Sequence, residues 1–314
     1  MLHFISKHSS VLLIIATLAG LAWPQASLIV FPFLPYVLFF LMLFTLLGIE
    51  QKALLAELKL KKSWGYALLH SVVMTVFACS LGYFFGASNS LLISIAAVSA
   101  TGSLFATPAI ARSVGLNALT AMAMTIATTL LMPIVLYINL LLFQNDEFSL
   151  DIASYLMRLA IFIACPMAFS ALVYHYVPRP TLTRIHSKLS QVTIILVFAF
   201  PFGLVGPLRG IFDTAPSLAL HYIFISFGLC LLFFVASILF YLRQGKDIAL
   251  LAAITSSNRN VLLTFTVAGA YLGPDFLLLL GALQLPTYAL PLLVRWVNNY
   301  ITTRYYSPQT GHSK

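Results

Sequence analysis

The sequence predicts an all-α integral membrane protein of about ten transmembrane helices arranged as two inverted five-helix repeats. Three observations predict it: a composition too apolar for a soluble domain, apolar runs of membrane-spanning length, and basic residues gathered on one side of those runs. Of 314 residues, 61% are hydrophobic and 8% are charged, and the mean hydropathy is +0.99. A soluble domain carries about 25% charged residues. The excess of 17 Lys and Arg over 8 Asp and Glu fits cytoplasmic loops of a membrane protein rather than nucleic-acid binding. Cys79, Cys165 and Cys230 all fall inside apolar runs without paired spacing, so neither a disulfide framework nor a thiolate metal site is implied. No cofactor is implied.

A helix needs about 20 apolar residues to cross the hydrocarbon core. Charges, prolines and glycine clusters divide the chain into runs at 9–24, 27–48, 64–86, 90–113, 115–144, 150–176, 189–209, 218–242, 248–271 and 275–302. The first follows Lys7 and His8 and has the make-up of a signal peptide, but a second run comes within a few residues, which marks a retained span. Between the second and third, Glu50 to Trp64 (EQKALLAELKLKKSW) is amphipathic and basic, as for a segment on the inner membrane surface. The fifth run is longer than a bilayer requires, which predicts tilt or an irregular end. In the seventh, Pro201 to Pro207 (PFGLVGP) marks an irregular stretch of scaffold. The tail 307–314 is polar and predicted to be disordered.

Alternating loops set the orientation. With a cytoplasmic N-terminus, the inner segments hold Lys7, Lys52, Lys59, Lys61, Lys62, Arg112, Arg179, Arg184, Lys188, Arg243, Lys246, Arg295, Arg304 and Lys314, which is 14 of the 17 basic residues. The outer side has Arg209 and nearby Arg158, and its acidic loop Asn145 to Phe148 lacks any Lys or Arg. The positive-inside rule therefore predicts both termini in the cytoplasm, in a bacterial inner membrane. Trp23, Trp64 and Trp296 fall at span ends, as an interfacial belt expects. Five spans per half put the second half in from the opposite face, so residues 1–145 and 146–306 read as an inverted repeat of the kind found in secondary transporters.

Two polar interruptions occupy corresponding places. The fourth run carries Ser99 to Pro108 (SATGSLFATP), and the ninth carries Thr255 to Asn260 (TSSNRN). Gly102 and Pro108 weaken a helix, and broken backbone inside a bilayer must be satisfied by protein or trapped water. Thr101, Gly102, Ser103 and Thr107 are candidate cavity residues, and Thr125, Thr128 and Thr129 on the fifth run offer hydroxyls. The plainer alternative is small residues that let helices pack closely.

Arg259 is the most informative residue. At position 12 of a 24-residue run it cannot snorkel to either surface, and insertion there costs about 2.5–3.5 kcal/mol. Every Asp and Glu lies in a loop or at a span end, so no midplane salt bridge is on offer. Either carbonyls at the break together with Asn258 and Asn260 cradle the guanidinium, or an anionic substrate completes its shell. His70 is a candidate proton-linked group or a satisfied polar contact. Gln284, Thr287 and Tyr288, beside Pro286 and Pro291, form a further polar patch, of which Tyr288 is the candidate binding residue.

The stretches SATGSLFATPAIARSVGLNALTAMAMTIATTLLMP (Ser99 to Pro133) and LLAAITSSNRNVLL (Leu250 to Leu263) resemble the fourth, fifth and ninth helices of the bile acid:sodium symporter superfamily. The resemblance implies core and panel domains, broken helices four and nine crossing behind a cavity, and alternating access for organic anions, usually coupled to sodium. It also implies a sodium site, whose acidic residue falls on Thr255, later amide on Arg259, Ser-Asn pair on Thr107 and Pro108, and helix-three glutamine on His70. One helix-five hydroxyl is kept as Thr125, whereas another falls on Ala121. That site has lost its charge and gained a cation, which argues against sodium coupling. Movement would then be facilitated, linked to protons through His70, or coupled by exchange.

The expected function is transport of a small organic anion across the lipid bilayer, not catalysis. A cation/proton antiporter of similar architecture would use intramembrane carboxylates, which are missing. A membrane-embedded enzyme would show HExxH or paired intramembrane aspartates, and neither occurs. A sensor would be expected to carry a soluble signalling domain after the last span.

Overall fold

In lipid every backbone N–H and C=O must be paired within the protein, so apolar runs of this kind become helices. The computed structural model describes residues 9–47, 49–143, 151–290, 292 and 294, and all regular elements among them are helical. In chain order these are α1 (Ser9–Ala22), α2 (Pro24–Leu47), α3 (Gln51–Leu58), α4 (Lys61–Phe84), α5 (Asn89–Ala100), α6 (Thr107–Ser113) and α7 (Ala118–Leu142). There follow α8 (Ile152–Tyr176), α9 (Arg179–Leu204), α10 (Gly206–Thr214), α11 (Pro216–Tyr241), α12 (Lys246–Ser257), α13 (Val261–Ala268) and α14 (Pro274–Leu290).

Among the described residues, six stretches are long and apolar enough to cross a membrane: α2, α4, α7, α8, Ile195–Thr214 across α9 and α10, and Pro216–Gln244 at α11. Only 17% of the most apolar window of α8 is buried inside the protein, and 28% of those of α2 and α11. Phe84, Phe224 and Leu142 are all more than 70% exposed. A soluble protein does not leave so much contiguous apolar surface outward. The chain is an integral membrane protein.

α9 packs on α1 and α2, and α8 packs on α2, forming one group. The pairs α4 with α5 and α11 with α12 form another, into which α7 and α14 pack. The surface segment folds as α3, where Lys62 pairs with Glu57 at 3.2 Å and the Trp64 indole N–H donates to Leu58 O at 2.9 Å.

One expectation about a span boundary needs correction. The seventh helix starts at Arg179 rather than at 189 and runs through Pro201, and the chain bends at Val205 between α9 and α10. Pro207 has no N–H for the carbonyl of Gly203 four residues earlier. The Ser27 hydroxyl takes that role, donating to Gly203 O at 3.2 Å and to Phe202 O at 2.6 Å. The runs at 90–113 and 248–271 are each two helices with a gap between. The acidic loop 145–148, Pro291, Trp296 and the tail 307–314 lie outside the described residues.

Candidate functional site

The two gaps meet. After α5, Thr101 turns extended and the chain stays irregular until Thr107 opens α6, whose Pro108 suits a first turn because its missing N–H would be an orphan there. Asn258 to Asn260 separate α12 from α13, and the Asn260 side chain caps α13 by accepting from Leu263 N–H at 3.3 Å. Leu104 N–H donates to Asn258 O and Asn260 N–H to Gly102 O, both at 2.8 Å. Ser103 and Arg259 thus face each other in an antiparallel bridge. Backbone freed by one break is satisfied by the other, as irregular chain buried in a bilayer requires of its surroundings.

α7 closes the break from behind. Ser103 N–H donates to the Thr128 hydroxyl at 3.0 Å, and the Ser103 hydroxyl donates to Thr255 O. Gly102 permits this approach, because a Cβ there would sit 2.9 Å from Thr129 Cα.

Arg259 is 2% exposed. Its Nη1 donates to Ser99 O and to Thr101 O, the latter at 3.2 Å, and its Cζ stands 4.1 Å from the centroid of the Phe233 ring. The carbonyls belong to the C-terminal end of α5, where the helix dipole is negative. The ring adds a cation–π contact of about 2 kcal/mol when desolvated. The asparagines do not cradle the guanidinium, contrary to one alternative read from the sequence. Asn260 Oδ1 is turned to its own helix, and Asn258 supplies its backbone carbonyl to Leu104 while its side-chain amide has no partner. Arg259 Nε and Nη2 are also buried without a hydrogen-bond partner, as is Asn260 Nδ2.

His70 sits on a π-helical turn, Leu69–Val73, inside α4; such turns are frequent at functional sites. Its Nε2 is 2.8 Å from Thr101 O. A carbonyl only accepts, so Nε2 carries the proton and Nδ1 accepts from Tyr66 Oη–H at 3.1 Å, with Ser256 Oγ at 3.4 Å. The Thr101 carbonyl therefore receives both His70 and Arg259.

The Thr101 hydroxyl donates to Ala97 O at 2.8 Å and meets Thr264 Oγ1. The buried Thr107 hydroxyl has no partner. Thr125 and Thr255 donate to their own helices, to Ala121 O at 2.9 Å and Leu251 O at 2.6 Å. These two hydroxyls are committed to backbone rather than turned to the guanidinium.

Arg259, Asn260 and Tyr288 line one recess together with Gln284 and Thr287 of α14. The centre of a water-sized sphere has about 10 Å³ to occupy there, the room of roughly one water. A groove of about 840 Å³ lies elsewhere, between α4, α5 and α11. Its walls include the exposed Phe85, Leu231 and Val235, so it is an apolar furrow on the outside of the bundle. Among the described residues no three His, Cys, Asp or Glu come together as a metal ligand set.

Sequence reasoning missed Phe233, because one Phe in a 26-residue apolar helix carries no signal. It also passed over Tyr66, although its i, i+4 spacing to His70 placed both on one helix face. Gln284 and Thr287 were visible as a polar patch but not as partners of Arg259. No protein-family model and no curated protein matches the chain.

Proposed function

We propose that the chain is a secondary transporter of a small organic anion that works by alternating access, distantly related to the bile acid:sodium symporters, with ten spans in two inverted repeats. The observation that carries this reading is a buried guanidinium at the meeting of two broken helices, with one edge unpaired and no carboxylate in an ion pair with it among the described residues. Discontinuous helices meeting in mid-membrane are how secondary carriers build substrate sites.

Element positions support the repeat. α5 starts at Asn89 and α12 at Lys246, 157 positions later; α7 starts at Ala118 and α14 at Pro274, 156 later. Ser103 and Arg259, facing each other in the bridge, are 156 apart. Packing follows the same exchange: α1 on α9 answers α8 on α2, and α4 on α5 answers α11 on α12. Residues 1–145 and 146–306 are then the two repeats, with both termini and the tail 307–314 cytoplasmic in a bacterial inner membrane.

Transport in this reading does not need sodium. Ser99 and Thr101 carbonyls hold Arg259 Nη1. A hard cation wanting oxygen ligands finds them taken by a tethered one. The test is uptake of labelled organic anions into liposomes holding the purified protein, in sodium, in potassium and under an imposed pH gradient. Saturable uptake equal in sodium and potassium is expected. Strict sodium dependence, or no anion flux, refutes the reading.

A further inference from the structure

The furrow between α4, α5 and α11 opens outward from the bundle, where acyl chains are the surroundings of a membrane protein. Small residues keep it open: Ala78 and Gly82 of α4 and Gly228 of α11 line it, and a Cβ at Gly228 would meet nothing within 4 Å. Its volume of about 840 Å³ is that of a small-molecule site, about 300–1,000 Å³. The polar side chains in its lining are Ser88, His221 and Tyr222. All three stand at one end, where α4 has ended and α5 and α11 begin. From that end the furrow continues past Ile225 and Leu232 to Val235 without a polar side chain. Between Tyr222 and Val235 the helix rises about 20 Å, against about 15 Å for one leaflet of the hydrocarbon core. The furrow therefore has a polar mouth at the membrane surface and an apolar trough as deep as a lipid tail.

The charge at the mouth is negative. The Tyr222 hydroxyl interacts with the carboxylate of Asp275, in the first turn of α14. No Lys or Arg forms an ion pair with Asp275 among the described residues. The basic residues Lys61 and Lys62 of α4, and Arg243 and Lys246 after α11, lie at the opposite ends of their helices. Hydrogen-bond donors are present beside the acid. The Ser88 oxygen accepts from Leu91 N–H at 3.2 Å, which leaves its own proton to donate, and an imidazole carries at least one N–H.

We propose that this furrow is a site for one phospholipid with a primary ammonium in its head, phosphatidylethanolamine, whose acyl chain lies in the trough. The ammonium is set against Asp275, and the phosphate takes donors from Ser88 and His221. A head that is only anionic would meet the carboxylate with nothing to balance it. The assignment needs the membrane class alone and not the carrier reading.

The test is native mass spectrometry of the purified full-length protein, with dioleoyl phosphatidylethanolamine and dioleoyl phosphatidylglycerol added to the detergent in equal amounts. One retained lipid per chain is expected, with the ethanolamine lipid favoured by about threefold, the worth of one exposed charge pair. Gly228→Phe fills the furrow from a position where the Cβ meets nothing, and is expected to lose the retained lipid. Asp275→Asn leaves the furrow open, and is expected to keep a lipid but to bring the ratio of the two close to one. No retained lipid, equal retention of the two lipids by the wild type, or a lipid-free dimer with a second copy covering the furrow overturns the proposal. Unchanged retention in Gly228→Phe does so as well. Should Gly228→Phe fail to fold, Asp275→Asn decides, and an undiminished preference for the ethanolamine lipid in that variant overturns the proposal.

Discussion

Gly102→Ala tests the packing of the crossing against α7. A methyl group at this position would stand 2.9 Å from Thr129 Cα, 2.9 Å from its Oγ1 and 3.0 Å from its backbone N. Ordinary contact between such atoms is about 3.5–4.0 Å, and two of the three belong to backbone in the middle of a 25-residue helix. The break and α7 must separate by roughly half an ångström to an ångström. Overpacking of this kind costs about 1–3 kcal/mol. The same movement pulls Ser103 N–H from Thr128 Oγ1, now at 3.0 Å, and that bond is worth about 1 kcal/mol. The expected loss is therefore about 2–4 kcal/mol in all. Thermal unfolding in detergent, followed by intrinsic fluorescence, reads it as a lowered midpoint. Gly228→Ala is the control, because a Cβ there meets nothing within 4 Å. If both variants unfold at the wild-type temperature, the crossing is not held against α7 as closely as described, and the account of the break is wrong.

Thr128→Val leaves the buried Ser103 N–H without its acceptor, at a cost of about 1–3 kcal/mol; Thr128→Ser should recover most of the lost thermal midpoint. Phe233→Leu removes the ring under Arg259 while keeping the site apolar, and should cost about 1–2 kcal/mol, measured as a lower midpoint. Asp151 caps α8, and the hydroxyl of Ser154, then the N–H groups of Ser154 and Ala153, hold its carboxyl below the ordinary carboxylate range. A pKa lowered by folding adds stability above the unfolded value, which is lost as the pH falls through the folded one. Asp151→Ala should therefore unfold at a lower temperature than wild type at pH 7, with the gap closing below about pH 4; a constant gap would assign the cap no electrostatic part.

The membrane class was legible because it depends on composition and run length, which are sums over many residues. The two breaks were legible too, since Gly102, Pro108 and a polar cluster in an apolar run leave few ways to continue a helix. What satisfies them was not legible. Pairing Leu104 with Asn258 and Asn260 with Gly102 joins segments more than 150 positions apart, and no local pattern encodes that register. The cation was found from its cost alone, and carbonyls at the break were among its expected holders; that these are the carbonyls of Ser99 and Thr101 leaves no trace in side-chain chemistry. The nearby asparagines were the visible alternative, and one of them is spent on a helix cap. The irregular stretch from Pro201 to Pro207 was legible, but what satisfies it was not: Pro207 orphans a carbonyl four residues upstream, and the hydroxyl that takes it comes from Ser27 in another helix.

The pairing of Ser103 with Arg259 gives the arginine its particular role. Both breaks use the same backbone device, so either half alone could have supplied a small residue at the meeting point, as the first half does. Arginine in the second half does something a small residue cannot. Through Nη1 it ties the break after α12 to the carbonyl end of α5, and the backbone bridge ties the same two segments again. His70 adds α4 to the knot through the shared Thr101 carbonyl. Such a crossing resists opening along its own seam, since separating α5 from α12–α13 would break two backbone bonds and expose a buried charge together. α14 contributes Gln284, Thr287 and Tyr288 to the recess without a hydrogen bond to Arg259 among the described residues. The knot is thus the fixed part of the crossing, and Arg259 lines the recess between it and α14.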